Sequence, residues 1–200
     1  MDDDLLVTSK PAGLLSVPGK PAELADCMLS RAAAAFPGAL LTHRLDMDTS
    51  GLLLLAMNKR AQGLIGQHFE RRLIHKTYIA RVWGTVKGER GTIDLPLCFD
   101  FENRPRQKVC FINGRPSQTN WRVIGREAQS TLMELEPLTG RSHQLRVHMK
   151  ALGHPIVGDP LYAPPDAQAA APRLLLHAHA LKLHHPSGGQ MVEFRDECPF

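Results

Sequence analysis

The stretch His43-Arg44-Leu45-Asp46-Met47-Asp48-Thr49-Ser50-Gly51-Leu52-Leu53-Leu54-Leu55-Ala56 changes character at Gly51. Before that glycine lie two cationic side chains, two carboxylates and two hydroxyls, with no hydrophobic period. After it every residue through Met57 is apolar. A short, bounded apolar run predicts a strand buried on both faces, central to a sheet. The polar segment is then a loop fixed to a rigid strand, where reactive side chains tend to gather. The competing reading is a polar turn in which Asp46 or Asp48 bonds nearby backbone N–H groups.

Outward from this point the patterning alternates between strands and a few helices. A strand is predicted over 5–8, closed by the turn Lys10-Pro11-Ala12-Gly13. A helix is predicted from Pro21, with Leu24, Met28, Leu29, Ala32 and Phe36 along one face and Pro37-Gly38 as its stop. A second helix over 60–73 turns Leu64, Ile65 and Phe69 inward. Residues 76–83 alternate as a strand, with Tyr78, Ala80 and Val82 on one face. Residues 84–91 read as a turn-rich loop. Further strands are predicted over 108–112, 118–124, 131–135, 174–176, 180–183 and 191–194, with a helix over 143–152. Residues 159–172 read as a loop with one helical turn. Strands outnumber helices, which implies an α+β fold with a central mixed, mostly antiparallel sheet and flanking helices.

At 200 residues, with 43% apolar and 22% charged side chains, the chain has ordinary globular composition, so disorder, collagen and coiled coil are poor readings. The apolar run 52–57 is far short of the roughly 20 residues of a membrane span. The acidic start Met1-Asp2-Asp3-Asp4 is unlike a signal peptide, so a cytoplasmic location is expected. Cys27, Cys98, Cys110 and Cys198 form no C-x-x-C pair, and neither zinc nor a disulfide framework is expected. His177 and His179 would share one face of a strand, but a zinc site would also want a third ligand, and no metal is expected. Phosphate-loop, dinucleotide, zinc-protease and serine-hydrolase motifs are all missing, so no cofactor is expected.

Net charge is only +4, but its distribution is uneven. From Asn103 to Arg126 there is no acidic residue, while Arg104, Arg106, Lys108, Arg115, Arg122 and Arg126 are basic. Uncompensated stretches of this kind attract polyanions. A second such stretch is Thr139-Gly140-Arg141-Ser142-His143-Gln144-Leu145-Arg146-Val147-His148. If helical, it sets Ser142 and Arg146, and Gln144 and His148, at i, i+4. The alternative there is a solvated helix face, although Arg141 at a helix N-terminus gains nothing from the macrodipole.

The run from His43 to Ala56 closely resembles the H-R-L-D-x-x-T-S-G-hydrophobic signature of RluA-type pseudouridine synthases. Lys10-Pro11-Ala12-Gly13 resembles the family's K-P-x-G, and Lys76-Thr77-Tyr78 its K-x-Y. Gly140-Arg141-Ser142-His143-Gln144-Leu145-Arg146-Val147-His148 followed by Gly153-His154-Pro155-Ile156-Val157-Gly158-Asp159 resembles its G-R-x-H-Q-x-R-x-H…G-H-P-I-x-G-D. Leu174-Leu175-Leu176-His177-Ala178 resembles its late L-x-L-H-A strand. The matches fall in order and span almost the whole chain.

The resemblance implies isomerisation of uridine to pseudouridine in structured RNA, in 23S ribosomal RNA, a tRNA anticodon stem-loop, or both. It further implies one catalytic domain over 1–200 with an RNA-binding cleft, no N-terminal S4-like module, and action as a monomer without cofactor. Asp46 matches the family's essential aspartate, and Arg146 the arginine that pairs with it. Tyr78 matches the tyrosine that stacks on the target uracil, and Leu176 an apolar position beside it. Arg44, with its planar guanidinium, is the residue expected to fill the space left by the flipped base. His43 is expected to support the loop or touch phosphate. Arg104, Arg106, Lys108 and Arg141 are expected at phosphates, and Asp48 is expected to be structural. A catalytically inactive RNA-binding module of the same fold is the rival reading. The joint presence of Asp46, Tyr78 and Arg146 argues against it.

Overall fold

The computed structural model describes residues 1–20 and 22–200. In chain order the strands are β1 (Leu5–Lys10), β2 (Leu40–Leu41), β3 (Ser50–Ala56), β4 (His75–Trp83), β5 (Arg90–Asp94), β6 (Leu97–Phe99), β7 (Gln107–Val109), β8 (Gln118–Arg126), β9 (Ser130–Pro137), β10 (Leu176–His184) and β11 (Met191–Arg195). The helices are α1 (Met28–Ala35), α2 (Lys59–Glu70), α3 (Gln144–Ala151) and α4 (Pro165–Ala169). The chain divides into two compact units, Met1–Lys76 with His177–Pro199, and Thr77–Leu176 with Phe200. Strand pairing is mixed and mostly antiparallel, as the patterning implied.

In the first unit β3 is the platform. Every one of its residues is buried, as its apolar run predicts, although the strand starts at Ser50 rather than Leu52. β1 runs antiparallel along one edge, with Leu5 opposite Ala56 and Lys10 opposite Gly51. On the other edge β2 pairs with its C-terminal end, and β10 runs parallel to its start, His177 opposite Ser50. β11 follows β10 antiparallel. Gly51 has φ +107°, and a Cβ there would lie 2.4 Å from the Ala178 carbonyl oxygen. Only glycine lets the two backbones meet where the polar loop enters the strand.

The apolar core of this unit gathers Leu5, Leu52, Leu54, Ile65, Leu181 and Leu183. Asn58 caps α2 by accepting the Ala61 N–H at 2.8 Å. Ala61 and Ile65 are its fully buried residues and Phe69 packs on the core, whereas Leu64, predicted inward, is half-buried. The first helix departs from its prediction. Pro21 lies outside the described residues, 22–24 form a 3₁₀ turn, Leu24 is exposed, and α1 begins only at Met28. Cys27 and Ser30 form a reciprocal cap there, and the Met28 and Leu29 N–H groups donate to Leu15 and Ser16 carbonyls. Those bonds hold the start of the helix against the 15–16 segment.

The second unit is an antiparallel sheet in the order β4-β9-β8-β5, with a separate β6–β7 ribbon. Its core includes Ala80, Val82, Met133, Leu135, Met149 and Leu176, and Tyr78 packs against it. β5 begins inside the stretch read as a loop. Within it Gly91 lies under the Trp121 ring, so close that a Cβ would stand 2.7 Å away. β7 ends at Val109, short of the predicted 112, because Cys110 turns to donate its N–H to Pro96 O at 2.9 Å. The predicted strands 174–176 and 180–183 are one strand from Leu176, β10.

Gly51→Ala should lower stability by about 3 kcal/mol or more, since left-handed strain and a backbone clash coincide there. Urea unfolding checks this, and an unchanged midpoint would contradict the proposed close approach.

Candidate active site

Asp46 lies in a loop that is pinned on both sides. Lys10, at the end of β1, is 0% exposed. Its ammonium donates to Pro11 O at 2.9 Å, Leu14 O at 2.7 Å and Met47 O at 2.8 Å. Its three donors are thereby all engaged. The Gly13 N–H also reaches Met47 O, at 3.0 Å. On the other side of Asp46, the Ser16 hydroxyl donates to Leu45 O at 2.9 Å and accepts the Leu45 N–H at 3.0 Å. Thr49 N–H closes the turn on the main-chain oxygen of Asp46 at 3.1 Å.

Burial pushes Lys10 down to about 8, and the carboxylates of Asp48 and Asp46 partly offset that. It therefore remains mostly charged at neutral pH, a cation held beside both aspartates. The sequence reading quotes Lys10 within the turn and the K-P-x-G match but assigns it no role. The available signal was its place at the close of a predicted strand, directly before the Pro11-Ala12-Gly13 turn.

His43 is committed to the strand that follows. Its Nε2 accepts the Leu54 N–H at 3.1 Å, and its ring lies 4.8 Å from that of Phe69. Burial, with Lys76 nearby, pushes it down to about 4. A neutral ring accepting at Nε2 carries its proton on Nδ1. Arg44, next in sequence, is exposed.

In the second unit α3 is buried from Gln144 to Met149, so the solvated-face alternative does not hold. Arg146, 2% exposed, donates through Nε to Asp159 Oδ2 at 2.8 Å and through Nη2 to Oδ1 at 2.7 Å. Asp159 Oδ1 also accepts the Leu161 N–H at 2.9 Å and the Tyr162 N–H at 3.2 Å. The guanidinium faces the Tyr162 ring at 5.1 Å. Asp159 is a further residue that the sequence reading quoted within a motif without assigning it a role. The i, i+4 pair Gln144 and His148 converges on Thr119, whose hydroxyl lies 3.0 Å from Gln144 Nε2 and 2.9 Å from His148 Nδ1. Tyr78 and Leu176 belong to one apolar cluster.

The basic residues of the second unit have different surroundings. Arg104 is exposed, its guanidinium 5.8 Å from the Phe99 ring and 5.7 Å from Phe101. Lys108 pairs with Asp100 at 3.1 Å. Arg141 donates through Nε to Pro116 O at 3.3 Å. Arg106 and Lys108 line a cavity of about 370 Å³ with Val147, Lys150 and Tyr162. The Tyr162 hydroxyl accepts the Gln107 N–H at 2.7 Å and contacts His143 Nδ1 at 2.7 Å, which ties the β6–β7 ribbon to the start of α3. Near this ribbon Phe101, Phe111 and Ile112 are 71%, 77% and 90% exposed. Sequence reading passed over these three, because exposure of an apolar side chain has no local pattern. His177 and His179 both reach Asp196 O, at 3.3 and 2.7 Å. Among the described residues no three His, Cys, Asp or Glu side chains gather as a metal site.

Residues 4–151 match the family model described as RNA pseudouridylate synthase. The chain is 52% identical over 204 residues to the dual-specificity RNA pseudouridine synthase RluA of Vibrio parahaemolyticus, covering 100% of this chain and 82% of that protein. It is 48% identical over 200 residues to the protein of the same name from Escherichia coli K12, covering 100% of this chain and 91% of that one. The solved structure of human RNA pseudouridylate synthase domain containing 1 is similar at a TM-score of 0.85 and 32% identity, covering 100% of this chain and 82% of that one.

Asp159→Asn should cost about 3 kcal/mol or more, because a buried guanidinium loses the charge of a carboxylate that grips it through two hydrogen bonds. Chemical denaturation measures it, and near-wild-type stability would contradict the dependence. His43 titrates lower in the folded chain than its unfolded value of 6.5. The unfolded state therefore binds the extra proton first, and this stability is present above about 6.5 and lost as pH falls toward 4. His43→Gln should flatten the pH dependence of the melting temperature in that window, and an unaltered slope would count against it.

Proposed function

The chain belongs to the RNA pseudouridylate synthase family and is a pseudouridine synthase acting on RNA; from that premise we propose that it modifies uridines in both 23S ribosomal RNA and a tRNA anticodon stem-loop, with Asp46 as the catalytic carboxylate. The observation that carries the reading is the loop anchored by Lys10 and Ser16, which holds Asp46 between two tied residues, Leu45 and Met47. A reacting carboxylate gains most when its backbone is held before substrate arrives.

The reaction breaks the N1–C1′ bond of uridine, rotates the freed base and joins C5 to C1′. Atoms are conserved and no electron or energy donor enters. Asp46 serves at the ribose, as nucleophile or as base. Tyr78 offers a ring face to the uracil, which binds a base without changing its own charge. An ordinary tyrosine, with pKa about 10, is a weak base at neutral pH, so its hydroxyl needs the context of the bound base to take the C5 proton. Arg146 is the arginine that the family pattern pairs with the catalytic aspartate, and the bidentate grip of Asp159 supports that role by fixing the guanidinium plane.

Extruding the uridine costs a few kcal/mol of stacking. Arg44, exposed on the Asp46 loop, offsets part of it by stacking in the vacated space. Arg104, Arg106, Lys108 and Arg141 meet phosphates, while Phe101, Phe111 and Ile112 give unpaired bases apolar surface beside them. His43 positions the loop from within. Both compact units act as one catalytic domain, and the family match, which runs from the first into the second, supports this. The enzyme works as a cytoplasmic monomer, and no described helix is long and apolar enough to cross a membrane.

Tritium release from RNA labelled at uridine C5 tests this, with 23S ribosomal RNA and total tRNA supplied separately. Release from both is expected, and release from one alone would overturn dual specificity. Asp46→Asn should abolish turnover while RNA affinity stays within about tenfold, roughly 1.4 kcal/mol. Turnover surviving in that variant would remove Asp46 from its role.

A further inference from the structure

A cavity of about 370 Å³ separates part of the β6–β7 ribbon from α3, with Gln107, Lys108 and Val109 on the ribbon side and Val147 and Lys150 on the helix side. Where a cavity intervenes, the ribbon lacks the close packing that would fix its angle to the helix. Apolar contact remains at the edge, where Leu97 and Val109 join Val147 and Tyr162 in one cluster. Such contact is non-directional. It keeps the ribbon near the helix without setting its orientation.

Tyr162 supplies a directional contact. It is 5% exposed, and its hydroxyl accepts the Gln107 N–H at 2.7 Å while lying 2.7 Å from His143 Nδ1. A phenol has one hydrogen to give. With Gln107 donating to its oxygen, that hydrogen goes to His143 Nδ1, and all three groups are satisfied. His143 takes the left-handed conformation at φ +53°, and it starts α3 with no side-chain cap. A residue with a Cβ keeps that backbone only when its surroundings hold it. The Tyr162 hydroxyl therefore joins the ribbon to a helix start that is itself held in place.

The ring of Tyr162 has a different neighbour. It faces the Arg146 guanidinium at 5.1 Å, and the Tyr162 N–H donates to Asp159 Oδ1 at 3.2 Å. Hydroxyl and ring thus serve two separable contacts, one to the ribbon and one to Arg146. Gln107 stands between Arg106 and Lys108 and opens β7. Fixing its N–H fixes where the two neighbouring cations leave the backbone.

We propose that Tyr162 is a positioning residue for RNA capture, whose hydroxyl sets the angle of the ribbon so that its cations meet the phosphates of a structured RNA. The inference rests on the reading that the ribbon's cations contact phosphate. A ribbon already set in its binding orientation leaves less ordering to be done when RNA arrives. The hydroxyl acts on binding and not on the chemical step, because the ring alone faces Arg146.

Tyr162→Phe keeps the ring and removes the hydroxyl. Filter binding to 23S ribosomal RNA and to total tRNA gives Kd, and tritium release from the same RNA gives KM and kcat. Kd and KM should rise by about five- to tenfold, the worth of one hydrogen bond, with kcat within about twofold. Melting curves establish that the variant is folded. In an Arg104→Ala/Arg106→Ala background the same substitution should change Kd by less than about twofold, since groups that act together are not additive. Wild-type Kd in Arg104→Ala/Arg106→Ala would remove the ribbon from RNA binding, and the role of Tyr162 with it. Weakened binding there but wild-type Kd in Tyr162→Phe would overturn the role of Tyr162 alone. A fall in kcat at unchanged Kd would place the effect of the hydroxyl at Arg146 and overturn the proposal, as would full additivity of the two sets of substitutions.

Discussion

A cation taken out of water must be surrounded, and two such cations organise this protein. The effective penalty for burying a charge is several kcal/mol, repaid only when its donors are met at good geometry. Lys10 satisfies that demand with three backbone carbonyls, two from its own turn and one from Met47. Residues far apart in sequence are thereby brought to one atom, and the loop that carries Asp46 is located by the need to solvate an ammonium. Arg146 meets the same demand differently, through a carboxylate that is itself satisfied by Leu161 and Tyr162 N–H groups.

The sheet makes both arrangements stiff. β3 is buried along its length, so it cannot shift register without exposing apolar side chains or burying polar ones. His43 adds a second tie by accepting the Leu54 N–H. Gly51 is the point at which polar loop becomes strand, and its lack of a Cβ admits β10 alongside. The Asp46 loop, turn and strand are thus a single packed object in the first unit. In the second, α3 is held through Gln144 and His148 on Thr119.

The ribbon obeys other rules. It exposes cations and large apolar side chains together, while its base is tied through the Tyr162 hydroxyl to the start of α3. Exposed rings next to guanidinium groups would be a liability on a protein with no partner. They suit a polyanion whose unpaired bases have apolar faces.

Much of this could be read locally. The apolar run from Leu52 to Met57 announces a central strand, because only a doubly buried strand tolerates such a run in so short a span. The alternation around Tyr78 and the ordered motifs around Asp46 and Arg146 likewise carry their meaning in neighbouring residues. What local pattern could not decide was where each charge finds its partner. Lys10 reads as one more turn residue until Met47 is beside it. Asp159 reads as part of a loop until Arg146 reaches it. Predicted bounds failed for the same reason at α1, whose start is set by hydrogen bonds to Leu15 and Ser16, and at β7, which stops where Cys110 turns to Pro96. Periodicity along the chain determines which elements form, since it reflects which face each residue buries. Hydrogen bonds between distant segments determine where those elements end and which side chains are held for chemistry, and only the tertiary structure contains them.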